Sequence, residues 1–187
     1  MTSFSSPTRP ALPLLLLLIS ALAAVLLSAG PSSAATELVN QVCGGTGDPR
    51  FCAAALYSDP RTPTADAYSL AYVAFGLAYL NATRTGDHIS RILSSPSLAH
   101  RSPALAGGLQ SCRRGYAAAV TKLAAAYNDL NSETFADLAG YAGSAARAAG
   151  DCDGAFGGSP YAPLVAGRNR DLRRLCEICA AVSKLFT

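Results

Sequence analysis

The chain has 187 residues, half of them hydrophobic, and 15 basic against 12 acidic side chains leave a formal net charge of only +3. That length suits one domain of ordinary size, and so small a charge, spread along the chain, excludes the concentrated basic face that nucleic-acid binding needs. The two basic pairs, Arg113-Arg114 and Arg173-Arg174, read as separate turns of solvated helix surface.

Residues 1–35 read as a secretory signal peptide. Arg9 supplies a positive charge, Leu12 to Leu27 is apolar apart from Ser20, and Gly30-Pro31-Ser32-Ser33-Ala34-Ala35 offers small residues to a signal peptidase. The apolar run approaches the ~18 to 20 residues of a membrane span. Pro13 sits inside it, however, Pro31 follows closely, and small residues stand where an anchor carries a charge cluster. Cleavage after Ala35, or one residue earlier, leaves a single domain over residues 36–187, outside the cytosol and free of the membrane. Cys43, Cys52, Cys112, Cys152, Cys176 and Cys179 all follow that point, so disulfides are expected. Spacing alone does not choose among their pairings.

The domain opens with a short helical piece around Cys43, the turn Gly44-Gly45-Thr46-Gly47-Asp48-Pro49, and a second piece from Phe51 to Tyr57 folded back on the first. Ser58-Asp59-Pro60-Arg61-Thr62-Pro63 breaks the chain, and Thr64 is the expected N-cap of the first long helix. Leu70, Val73, Leu77 and Leu80 form its apolar stripe, which loses phase near Gly86, resumes at Ile89, Ile92 and Leu93, and stops at Ser94-Ser95-Pro96.

The second long helix has the clearest pattern: Leu105, Leu109, Cys112, Tyr116, Val120, Leu123, Tyr127 and Leu130 recur every three or four residues. Asn131 or Ser132 is expected to cap a third, whose stripe runs Phe135, Leu138, Ala142, Ala145, Ala149, Cys152 and Phe156 before Gly157-Gly158-Ser159-Pro160. A fourth follows Pro163 and Gly167, with Leu172, Leu175, Cys176, Cys179, Val182 and Phe186 on one face. Strand signals are nearly absent. The fold expected is all-α: an antiparallel up-down four-helix bundle preceded by an N-terminal helical hairpin and stapled by disulfides. In such a bundle Cys112 and Cys152 can face each other across one seam.

Catalytic chemistry is missing from this pattern. His88 and His100 stand alone, and no HExxH, GxSxG, phosphate loop or EF-hand occurs, so neither metal nor cofactor is implied. Asp151 and Asp153 diverge around the helix on either side of Cys152 and read as solvent-facing charge. Cys176-Glu177-Ile178-Cys179 is a CxxC inside an all-helical chain, where buried thiols are a better reading than a redox pair at a helix start or half of a zinc site. Asn81-Ala82-Thr83 is an N-glycosylation sequon, usable only in a secreted chain. A helical module carrying a lipid in its core is a competing reading, although the chain has neither the eight cysteines nor the Cys-Cys pair of plant lipid-transfer proteins.

Cys43, the Gly-rich turn, Asp48-Pro49-Arg50-Phe51-Cys52, Leu109-Gln110-Ser111-Cys112-Arg113-Arg114-Gly115-Tyr116, Cys152-Asp153-Gly154-Ala155-Phe156 and the closing Leu175-Cys176-Glu177-Ile178 together resemble the plant invertase and pectin methylesterase inhibitors. The resemblance spans the whole mature chain. It implies disulfides Cys43–Cys52 and Cys112–Cys152, with Cys176 the family's frequent unpaired fifth cysteine and Cys179 an addition. It further implies a protein that is no enzyme, working in the apoplast or the vacuole. Such a protein blocks a plant pectin methylesterase, or alternatively an acid invertase, by covering the substrate cleft. In invertase inhibitors a Pro-Lys-Phe tripeptide enters the active site; the matching stretch here is Glu133-Thr134-Phe135, with only the phenylalanine kept. Asp151 stands where methylesterase inhibitors often carry threonine, whereas Leu175 to Ile178 looks more like the methylesterase branch. The candidate target-binding residues are therefore Glu133, Thr134 and Phe135 with Arg113, Lys122 and Asp137 on the exposed sides of the second and third long helices. Phe135 also fits a core position.

Overall fold

A computed structural model describes residues 33–95 and 102–187; the expected leader core, Leu12 to Leu27, and His100 lie outside them. The described residues form six α-helices and no strand: α1 (Ser33–Gly44), α2 (Pro49–Tyr57), α3 (Ala67–Leu93), α4 (Pro103–Asn131), α5 (Leu138–Gly154) and α6 (Ala166–Ser183).

Local chemistry sets most of the starts. Asp48 caps α2 by accepting the Phe51 N–H at 3.0 Å, and Pro49, which has no N–H to satisfy, occupies its first turn. Ser102 and Pro103 do the same for α4, with Ser102 accepting from Leu105 N–H at 3.2 Å. The cap of α3 is Asp66, which accepts from Ser69 N–H at 2.7 Å. Thr64 does not cap it, because Thr62–Thr64 winds into a 3-10 turn that ties Thr64 N–H to the Arg61 carbonyl. The third long helix also starts later than its stripe suggests. α4 continues through Asn131, and Ser132 N–H still bonds the Asn128 carbonyl, so these two residues end α4 and do not begin α5.

The four long helices each pack against two neighbours, with α6 closing on α3 to complete the bundle. On α3 Leu70, Ala71, Val73, Ala74, Phe75, Ala78, Ala82, Thr85 and Ile89 are buried and Leu77, Ile92 and Leu93 pack half-buried against the core, so most of the expected stripe faces inward. Leu80, expected on that stripe, is 47% exposed. It lies two residues from both Ala78 and Ala82, hence ~160° around the helix from the buried ridge. Between α4 and α5 the backbones approach closely. A Cβ on Gly115 would sit 3.6–3.9 Å from Ala148, and one on Gly108 would meet the Phe156 ring at 2.7 Å. Across this seam Cys112 and Cys152 are disulfide-bonded, with Cα atoms 4.7 Å apart.

The α1–α2 hairpin carries the second disulfide, Cys43–Cys52, and packs on α6. Arg174 makes the junction: its guanidinium lies 3.2 Å from Asp48 and 5.1 Å over the Phe51 ring, while Glu177 accepts the Gly47 N–H at 3.3 Å. Arg173 pairs with Asp153. The Arg173-Arg174 pair, expected to be solvated, instead ties α6 to two other elements.

Candidate target-binding surface

The groups that carry chemistry in the sequence are held in structural roles. Tyr116, fully buried on α4, donates at 2.7 Å to Asn169 Oδ1 on α6; Asn169 donates at 2.5 Å to Asp153, which also pairs with Arg173. Burial and the Asp153 charge push the Tyr116 phenol well up, so it stays a neutral donor. Asp153 is thus an acceptor inside a polar junction at the Cys112–Cys152 end of the bundle, and only Asp151 keeps the expected solvent-facing position. The ring of His88 lies 3.3 Å from the Leu164 carbonyl, joining α3 to the turn before α6.

Cys176 and Cys179 are both free and buried. Burial, with a smaller contribution from neighbouring Glu177, pushes the Cys176 thiol up to about 12, and burial pushes Cys179 up as well. Thiols held protonated at neutral pH are poor nucleophiles, so the pair does not suit redox turnover. Among the described residues no cluster of three His, Cys, Asp or Glu side chains is placed to hold a metal, and no helix is long and apolar enough to cross a membrane.

The six candidate contact residues do not form one patch. Arg113 and Lys122 are nine residues apart on α4, which places them ~180° from each other around its axis. Arg113 lines a groove against α3 with Asp87, Ser90 and Val120. Lys122 faces α5, its ammonium 5.7 Å from the centre of the Tyr141 ring. Glu133, Thr134, Phe135 and Asp137 occupy the α4–α5 connection at the far end of the same seam. Glu133 takes a left-handed conformation, φ 54°, that turns the chain out of α4, and Thr134 N–H bonds the Asp129 carbonyl at 2.9 Å. Asp137 precedes α5 but its side chain makes no capping hydrogen bond.

Phe135 is engaged inward. Its ring stacks on Phe186 at 4.4 Å and meets the edge of Tyr68 at 6.4 Å. Tyr68 in turn bonds the Leu130 carbonyl, and Tyr72 bonds Asn131, so these rings close one end of the bundle. Lys122, Glu133, Thr134 and Asp137 are exposed along the α4–α5 side, and half-buried Tyr141 lies beneath the Lys122 ammonium. Desolvation and the carboxylates of Asp129 and Asp137 raise the Tyr141 phenol, which keeps it neutral. Tyr141 escaped the sequence reading; its signal was a lone aromatic in an alanine-rich helix, one turn after Asp137. This side of the bundle thus presents a cation, carboxylates, a hydroxyl and an amphipathic ring.

The pattern described as plant invertase/pectin methylesterase inhibitor matches residues 37–182. The chain is 32% identical over 162 residues to the pectinesterase inhibitor of Actinidia deliciosa, covering 86% of this chain and 85% of that protein. It is 33% identical over 176 residues to cell wall / vacuolar inhibitor of fructosidase 2 of Arabidopsis thaliana, covering 90% and 93% respectively. A crystal structure of a mutant form of a pectin methylesterase inhibitor from Arabidopsis superposes with a TM-score of 0.69 at 20% identity, covering 79% of this chain and 95% of that one, which speaks to the shared fold. With the family pattern matched from α1 to the end of α6, and two relatives above 30% identity over most of their lengths, the chain belongs to the plant invertase/pectin methylesterase inhibitor family, whose members are inhibitors and not catalysts.

Proposed function

We infer that the chain is a secreted inhibitor of plant pectin methylesterase, acting through a reversible one-to-one complex that covers the enzyme's active-site cleft. The observation that carries the choice of target is the state of Glu133-Thr134-Phe135. Where invertase inhibitors insert Pro-Lys-Phe, this chain has a carboxylate and a hydroxyl before a ring already stacked on Phe186. The insertion therefore lacks both its cation and a free aromatic. The closing Leu175-Cys176-Glu177-Ile178 pattern leans the same way.

The proposed contact face is Lys122, Tyr141, Glu133, Thr134 and Asp137 on the α4–α5 side; Arg113, on the opposite flank of α4, would meet the enzyme only through a wider footprint. Helices held by the Cys112–Cys152 bond lose little further freedom on docking, which favours affinity. Acid invertase is the second reading, supported by the relative named for fructosidase inhibition. A leader over residues 1–35 would deliver the protein to the apoplast, and the same relative's name keeps the vacuole as the other destination.

Titrating the purified mature protein separately into a pectin methylesterase and an acid invertase at mildly acidic pH tests the reading. Stoichiometric loss of methylesterase activity with invertase untouched is expected. Inhibition of invertase alone would transfer the assignment to the second reading.

A further inference from the structure

Asn81-Ala82-Thr83 is the one Asn-X-Ser/Thr triplet in the chain, and it lies in the middle of α3. Helical geometry places Asn81 beside a surface groove of about 290 Å³ between α2, α3 and α6, lined among others by Ser58, Leu77, Leu80, Arg84 and Arg168. Asn81 is half-buried and lines the groove, and its amide end, including the enclosed Oδ1, has no hydrogen-bond partner that would tie it to the helix.

The groove itself is unusual for this molecule. Leu80, on its rim, is one of only two large hydrophobic residues that are exposed among the described ones. Arg84 and Arg168 both line it, and neither has an ion-pair partner among the described residues. An apolar ridge beside two free guanidinium donors, with the Ser58 oxygen left as an acceptor because its hydrogen goes to the Ala55 carbonyl at 2.6 Å, makes a surface that a sugar ring can cover, its CH face on leucine and its hydroxyls on the guanidiniums.

We propose that Asn81 carries an N-linked glycan whose innermost sugars lie in this groove and cover Leu77 and Leu80. The bond forms when Asn81 Nδ2 attacks the anomeric carbon of a polyisoprenyl-pyrophosphate-linked oligosaccharide. The carbon–oxygen bond to pyrophosphate breaks, the lipid pyrophosphate leaves with the electron pair, and the amide nitrogen gives up one proton. Thr83 Oγ1 is enclosed in the folded helix, so the transfer takes place on the nascent chain before α3 closes. The inference rests on the secretory route proposed above and is independent of which enzyme is the target. The groove, on the α2–α3–α6 side, lies away from the α4–α5 face, so the glycan leaves that face open.

The full chain should be expressed in plant cells, and protein from the medium analysed by intact mass and glycopeptide mapping. The expected result is one glycan on Asn81, removed by a peptide N-glycosidase that leaves aspartate at the site. It should be absent in Thr83→Ala and retained in Thr83→Ser, a pair that does not depend on Asn81→Gln folding. Enzymatic removal should also raise binding of an apolar dye at least twofold while inhibition of the target enzyme is unchanged. Wild-type protein in the medium at the bare polypeptide mass would overturn this inference alone; retention of the chain in the cytosol would overturn the route and this inference with it. Unchanged dye binding after removal would overturn the placement of the sugars over the leucines.

Discussion

Replacing Phe135 by alanine separates a packing residue from a target contact. Truncating a fully buried phenylalanine costs ~3–5 kcal/mol. Phe135 is only partly buried, so about half of that, roughly 2 kcal/mol, applies, and loss of the stack on Phe186 adds ~1 kcal/mol. The variant should therefore be about 3 kcal/mol less stable, which for a domain of this size lowers the melting temperature by ~6–12 °C. Circular-dichroism melts and urea titrations of Phe135→Ala, Phe186→Ala and the double variant measure this, and the cycle should return a coupling of ~1 kcal/mol. Inhibition measured well below the melting temperature should persist. A variant within ~0.5 kcal/mol of the parent that has lost inhibition would refute the packing role and make Phe135 a target contact.

Three further outcomes follow from the same structure. Replacing Cys112 and Cys152 together by alanine removes a staple spanning 40 residues and should cost ~4 kcal/mol on the loop-entropy model, against ~3 kcal/mol for Cys43 and Cys52, separated by 9; chemical unfolding of each pair measures the difference. Because the folded Cys176 pKa stands above the ordinary 9.0, the stability from holding it neutral is fully present below pH 9.0 and is lost as pH rises through about 12. Iodoacetamide should accordingly leave Cys176 and Cys179 unlabelled in the native protein at neutral pH, and fast labelling would contradict their burial. Lys122→Glu and Asp137→Lys should each weaken methylesterase inhibition about tenfold or more, whereas Arg113→Glu should change it less than threefold; equal losses in all three would place the contact across both flanks of α4.

The helices themselves were legible because their information is local. The three- and four-residue spacing from Leu105 to Leu130 describes one continuous helix, and every residue of that stripe is buried or half-buried in the bundle. Helix ends were less legible where two local solutions competed. Thr64 and Ser132 are good capping residues by type, but a 3-10 turn took the first and an overrunning helix the second. The candidate face was half legible: a nine-residue separation on one helix already sets Arg113 and Lys122 on opposite sides.

Sequence periodicity and the turn-rich breaks between the stripes were enough to determine an all-helical chain of the right helix count, because contacts between residues three and four apart are made within a single element. Tertiary structure alone decided that Leu80, of the expected α3 stripe, stays outside the core, and sent Phe135 to Phe186, Asp153 to Asn169 and Arg174 to Asp48. Each of those choices depends on how ridges of different helices interlock, a sum over partners distant in sequence that no single segment encodes.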